Sequence, residues 1–176
     1  MGTKLLITSA FVLFINIPII LSQEPSDTLS LDSVFINKVS INGLSLMDTK
    51  QKIIEIFGVP DYYTKEFSEF DGSIFYVCKY DNKISFILNE NEELSELDYF
   101  MLHGYRMYIE DFSFEIGDDS KVLKSKYPMS YNYWMKHGGN VLYLIGLDSN
   151  KNRIGYNLHI VIRDHKIFSF SVNIED

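Results

Sequence analysis

The sequence predicts an α+β fold of two tandem units, each a short helix packed on an antiparallel β-meander, and three observations lead there. Asp48 to Phe57, followed by Gly58-Val59-Pro60, is echoed 70 positions later by Asp118 to Tyr127, followed by Pro128. After each proline the chain turns aromatic and β-branched, the composition of a half-buried pleated surface. Short polar breaks, Asp71-Gly72, Asp81-Asn82, Gly138-Gly139 and Asp164-His165, divide those stretches at hairpin-like intervals. A self-similar period of this length is the mark of one supersecondary unit used twice.

The first 22 residues belong to a different physical class. Lys4 is followed by an uncharged apolar run from Leu5 to Leu21, the pattern of an export signal, with cleavage expected after Ser22. A spanning helix needs roughly 20 apolar residues, so an uncleaved anchor is the structural alternative. Asn16 and Pro18 interrupt the run and favour cleavage. No cysteine stands at the cleavage point for lipid attachment. The expected product is therefore secreted or periplasmic, with no stable membrane anchor. Residues 23–33, rich in Ser, Asp, Glu and Pro, read as a flexible tether. Residues 34–105 and 106–176 then form the two units.

In the first unit, Val34, Ile36, Val39 and Ile41 predict an irregular strand ended by Gly43. Asp48 with Gln51 three residues on resembles a capping box. Ile53, Ile54 and Phe57 are the expected buried stripe, and Gly58 and Pro60 end the helix. Strands are expected over 62–70, 73–80, 84–88 and 94–102, where Leu97, Tyr99 and Met101 alternate. In the second unit, Phe112, Phe114 and Ile116 alternate up to Gly117. Asp118 caps a helix containing Val122, Leu123 and Tyr127, and strands follow over 131–135, 141–147, 154–163 and 167–174.

The pattern Ile41-Asn42-Gly43, a capped helix, then Phe57-Gly58-Val59-Pro60-Asp61 resembles a unit of small exported bacterial proteins. It is similar to the β-lactamase inhibitor protein group and to the small lipoprotein of the outer-membrane β-barrel assembly machine. The inhibitor group carries two such units in tandem, and the echo spans about residues 34–176. The resemblance implies a non-catalytic fold that binds another protein through its sheet or loops. The lipoprotein's cysteine and the inhibitors' paired cysteines are absent here.

Charge and motif content narrow the chemistry. The formal charge of −8 becomes about −9 once Lys4 leaves, which disfavours nucleic acid as a partner. The acidity is concentrated at Glu90, Glu92, Glu93, Glu96 and Asp98, an expected solvated edge or a patch for a basic partner. Cys78, the single cysteine, lies in a β-like run and reads as a buried structural thiol. His103, His137, His159 and His165 are scattered and lack metal-ligand spacing, so no metal and no cofactor are expected. There is no nucleophile elbow and no phosphate-binding glycine loop.

The sequence thus reads as a non-enzyme. A small secreted hydrolase or ligand-binding protein, using His137 or His159 between the units, is the alternative. The residues expected to bind a protein partner are Tyr131, Tyr133 and Trp134 beside Gly138-Gly139, with Tyr62 and Tyr63 at the corresponding place after the first helix. Aromatic side chains bury large areas at low entropic cost. Two such patches would suit a concave surface gripping one partner.

Overall fold

The computed structural model describes residues 31–174. The expected signal segment and most of the tether lie outside these residues. The fold is mixed α+β, dominated by strands. β1 (Ser33–Phe35), a 3₁₀ turn (Ile36–Lys38), β2 (Val39–Ile41) and β3 (Leu44–Ser45) precede α1 (Lys50–Phe57). Then come β4 (Tyr62–Phe67), β5 (Ile74–Tyr80), β6 (Ile84–Leu88) and β7 (Leu94–Phe100). The hairpin β8 (Arg106–Ile109) and β9 (Phe112–Glu115) leads to α2 (Lys121–Lys126) and α3 (Pro128–His137). β10 (Val141–Leu147), β11 (Arg153–Arg163) and β12 (Lys166–Ile174) complete the chain.

The two meanders fuse into one eight-stranded sheet of order β1-β10-β11-β12-β7-β6-β5-β4. They meet where β12 pairs antiparallel with β7, Phe170 opposite Phe100 and Val172 opposite Leu97. A second sheet, β3-β2-β8-β9, joins the hairpins that precede the helices, with Ile41 opposite Met107. Apolar residues of this small sheet, among them Ile41, Met107 and Phe114, are buried against the large sheet, and α1 and α2/α3 contribute Ile53, Leu123 and Trp134 to the same cluster. One hydrophobic core therefore spans both halves. The ring of Phe57 lies 5.3 Å from that of Phe86 and 6.2 Å from that of Phe100, which docks α1 onto the β6–β7 part of the sheet.

The aspartates expected to cap the helices act one turn earlier. Asp48 Oδ2 accepts the Ser45 N–H at 2.8 Å, and Asp118 Oδ2 accepts the Glu115 N–H at 3.0 Å. The loops they brace are alike bond for bond. Met47 N donates to Leu94 O and Leu94 N to Asp48 O; Gly117 N donates to Ile167 O and Ile167 N to Asp118 O. Lys50 N donates to Glu92 O, and Ser120 N to His165 O. Thr49 bridges Glu93, and Asp119 bridges Lys166. Both loops need a left-handed residue at the same place, Met47 at φ 70° and Gly117 at φ 99°. The methionine accepts a conformation that costs an L-residue about 1–2 kcal/mol. At Gly117 a Cβ would also meet the His103 ring at 3.2 Å, so that loop has steric reason for glycine.

Four further expectations are corrected. In α1 the partly buried Ile56 packs on the core beside Ile53 and Phe57, in place of Ile54. The second half, expected to carry one helix, has two: α2 ends at Lys126 before Pro128 as expected, and Pro128 then opens α3 at its first position, where its missing N–H costs nothing. Residues 131–135 are helical, because Tyr127, Ser130, Tyr131 and Trp134 bury one face at i, i+3, i+4 and i+7. With no strand between α3 and β10, the seat beside β10 is taken by β1, which runs parallel to it. Order begins before Val34: Leu31 is buried, and Asp32 exchanges hydrogen bonds with Ser130.

Candidate functional site

Alternation along the strands gives the large sheet two faces. One carries Phe86, Phe100, Leu144, Leu158, Ile160 and Phe170, all buried beneath the helices and the small sheet. Among the described residues no element covers the other face. On it stand Tyr143 from β10, Asn157 and His159 from β11, and Ser169, Ser171 and Asn173 from β12, as the register pairs them. It continues through Tyr99 and Ile87 to Val77, Lys79 and Tyr62.

The middle of this face is polar and well set. The Tyr143 and His159 rings meet edge to face at 4.9 Å, and the Asn173 amide lies 3.4 Å from His159 Nδ1, turned so that its oxygen faces the ring and its nitrogen reaches Leu97 O and Val172 O at 3.3 Å. Ser85, Ser169 and Ser171 are enclosed between neighbouring side chains. Ser85 Oγ has no hydrogen-bond partner among the described residues. Tyrosine, asparagine and histidine on rigid strands make a surface that offers rings and adaptable hydrogen bonds with few rotamers to freeze.

The aromatic residues picked from the sequence do not assemble there. Tyr62 is exposed and stands on the open face at its β4 edge. Tyr63 points to the opposite side. Its hydroxyl donates to Glu92 Oε1 at 2.6 Å, Lys50 Nζ sits 3.8 Å from its ring centroid, and Tyr76 stacks on it at 5.5 Å. Lys50 closes the triangle with Glu92 at 3.1 Å. Burial, then the bond to Glu92, pushes the Tyr63 hydroxyl well above the ordinary tyrosine value. The Tyr63 hydroxyl, then the Lys50 ammonium, holds the Glu92 carboxyl below the ordinary glutamate value. Glu92 thus serves inside the fold, joining α1, β4 and the β6–β7 turn.

On α3, Tyr131 and Trp134 are buried in the core, with their rings 5.3 Å apart, and Trp134 Nε1 donates to Gly139 O at 3.0 Å. Tyr133 is half-buried and stacks on His137 at 4.2 Å. Trp134→Ala should therefore destabilise the fold by about 3–5 kcal/mol, measured by urea unfolding. Tyr133→Ala should cost less than about 1 kcal/mol.

Among the described residues no three His, Cys, Asp or Glu side chains are grouped to hold a metal. His103 lies against Gly117, His137 on α3, His159 on the open face and His165 in the β11–β12 turn. Cys78 is buried, and desolvation raises its thiol pKa. Among the described residues no helix is long and apolar enough to cross a membrane.

The chain matches no protein-family model, no curated protein and no solved structure. The open-face residues carried one sequence signal that the aromatic cluster obscured. In Ser169-Phe170-Ser171-Val172-Asn173, small polar residues alternate with large apolar ones, the signature of a strand with one face in the core and one turned outward.

Proposed function

We propose that the chain is an exported, non-catalytic protein-binding module built from two tandem α+β units, and that it recognises its partner with the open face of the eight-stranded sheet. The face carries the reading: a broad surface of Tyr, Asn and His, set around buried serines and backed by a rigid core. The two-unit organisation is supported by the matched loops around Asp48 and Asp118, and by the β7–β12 and β2–β8 pairings that join corresponding edges. The N-terminal apolar run supports export.

The test places charge on the face without touching the core. Val161→Arg and Ile87→Arg, one on each meander and both half-buried on the open side, should abolish retention of a stoichiometric partner from the exported fraction. Thermal stability should change little, and Tyr108→Arg, on the outer side of the small sheet, should retain the partner. Equal retention by the open-face variants, or no stoichiometric partner for the native protein, would count against the proposal.

A further inference from the structure

The large sheet ends on β4, a six-residue strand with no neighbour on its outer side among the described residues. The other end, β1, has three residues, and the small sheet ends on strands of two and four. β4 is therefore the longest free edge. The bond from Ser68 N to Ser73 O closes the β4–β5 hairpin and sets the alternation of the antiparallel ladder. Thr64 and Glu66 bond inward to Val77 and Phe75, their register partners. The amides and carbonyls of Tyr63, Lys65 and Phe67 point outward. A row of such groups is a template for another strand.

Charge decides what kind of strand. Residues 61–71 hold Asp61, Glu66, Glu69 and Asp71 against Lys65 alone, a net charge of −3. A second copy laid along this edge would meet the same negative charge. A strand bearing lysine or arginine would meet its complement. On the open-face side the edge borders a depression of about 420 Å³ lined by Asp61, Tyr62, Glu66, Lys79, Asp81 and Asn82. Alternate side chains of an added strand would lie directly beside Tyr62 and Glu66, over this depression. Exposed apolar groups frame the same edge: of the eight exposed large hydrophobic side chains among the described residues, Val59, Tyr62, Phe67 and Phe70 lie here.

We infer that the β4 edge binds an extended segment of a partner protein that carries basic residues at alternate positions, adding it as a ninth strand of the sheet. Main-chain bonds to Tyr63, Lys65 and Phe67 supply the register, and the carboxylates of Asp61 and Glu66 select the charge. The inference concerns a surface separate from the centre of the open face, and either can fail without the other.

The probe is a dye-labelled, end-blocked (Lys-Val)4 peptide, followed by fluorescence anisotropy and by amide hydrogen exchange. The expected result is saturable binding that weakens with added salt. Exchange at Tyr63, Lys65 and Phe67 should slow by about tenfold or more, as a new hydrogen-bonded strand requires. Glu66→Gln and Asp61→Asn should each weaken binding several-fold. Lys65→Pro removes an outward N–H and so spares the internal ladder; it should abolish binding. Should that variant misfold, a (Lys-Val)4 peptide N-methylated at alternate residues gives the same test from the other side and should not bind. Val161→Arg should bind the peptide as the native protein does. Unchanged exchange at the three outward amides, equal binding of (Glu-Val)4 or of the N-methylated peptide, or protection that rises with protein concentration in the absence of peptide would overturn the inference. The last outcome would assign the edge to a second copy.

Discussion

Phe170→Ala is expected to destabilise the protein by about 3–5 kcal/mol and to loosen the two meanders from each other. Phe170 is fully buried at the junction of β12 and β7, where its ring stacks on that of its register partner Phe100, centroids 5.0 Å apart and planes within 8°. Phe114 of the small sheet meets it edge to face at 5.7 Å. Phe100 in turn touches Phe57 of α1 and Tyr105. One side chain therefore fastens both sheets, and its partner carries the contact on to the first helix. Because β7 and β12 have two recorded register pairs and a shift between them, few regular ladder positions back up the lost ring. Urea unfolding should show a lower midpoint for Phe170→Ala and Phe100→Ala. The double variant should lose less than the sum of the two, since the rings share one contact. Additive losses would mean that each ring is held independently by its own half.

Much of this frame was legible because local chemistry and tertiary packing agree. The strands from Tyr62 to Phe100 and from Val141 to Ile174 follow the polar breaks closely, and Gly58 ends α1 at the positive φ its position implied, 82°, but with ψ extended at −167° in place of the left-handed helical cap. Disagreement came where one signal served two structures. Asp48 and Asp118 have the right type and spacing for helix caps, yet their carboxylates reach back to the turn before the helix. A proline after a helical run can stop one helix or start the next, and Pro128 does both, standing between the end of α2 and the start of α3. Tyr131, Tyr133 and Trp134 favour strands by composition, but the burial period around them is helical, so packing overrode propensity.

β1 was least legible. Three residues paired in parallel to a strand more than a hundred positions away leave no local periodicity to find. The candidate surface was hidden for a related reason. Trp and Tyr drew attention to α3, whereas the open face is written in serines and asparagines, whose informative property is their alternation with the buried phenylalanine and valine of β12. A large aromatic residue gains most by burial, and two of the five chosen from the sequence are core residues here.

Asp32→Ala is expected to loosen β1 from the sheet, and it bears on why β1 takes the seat beside β10. Asp32 makes three bonds. Its N–H donates to Ser130 Oγ at 2.9 Å, its Oδ2 accepts the Ser130 N–H at 2.8 Å, and its carbonyl accepts the Ile145 N–H at 3.0 Å. The carboxylate thus satisfies an N–H in the first turn of α3, where the helix dipole also favours negative charge. No residue next to the helix does so: Tyr127, at the cap position, makes no side-chain bond to it. Losing the carboxylate leaves the buried Ser130 N–H without an acceptor and should cost about 1–2 kcal/mol. The Ile145 amide should exchange faster as β1 detaches. Ser130→Ala removes the reciprocal acceptor, and a cycle with Asp32→Ala should give a coupling of about 1 kcal/mol if the clasp works as a unit. Additive losses with unchanged exchange at Ile145 would mean that β1 is held by Val34 in the core and not by the clasp. A coupled result would make the helix that replaced a strand in the second half also the element that recruits β1 to fill the vacant seat.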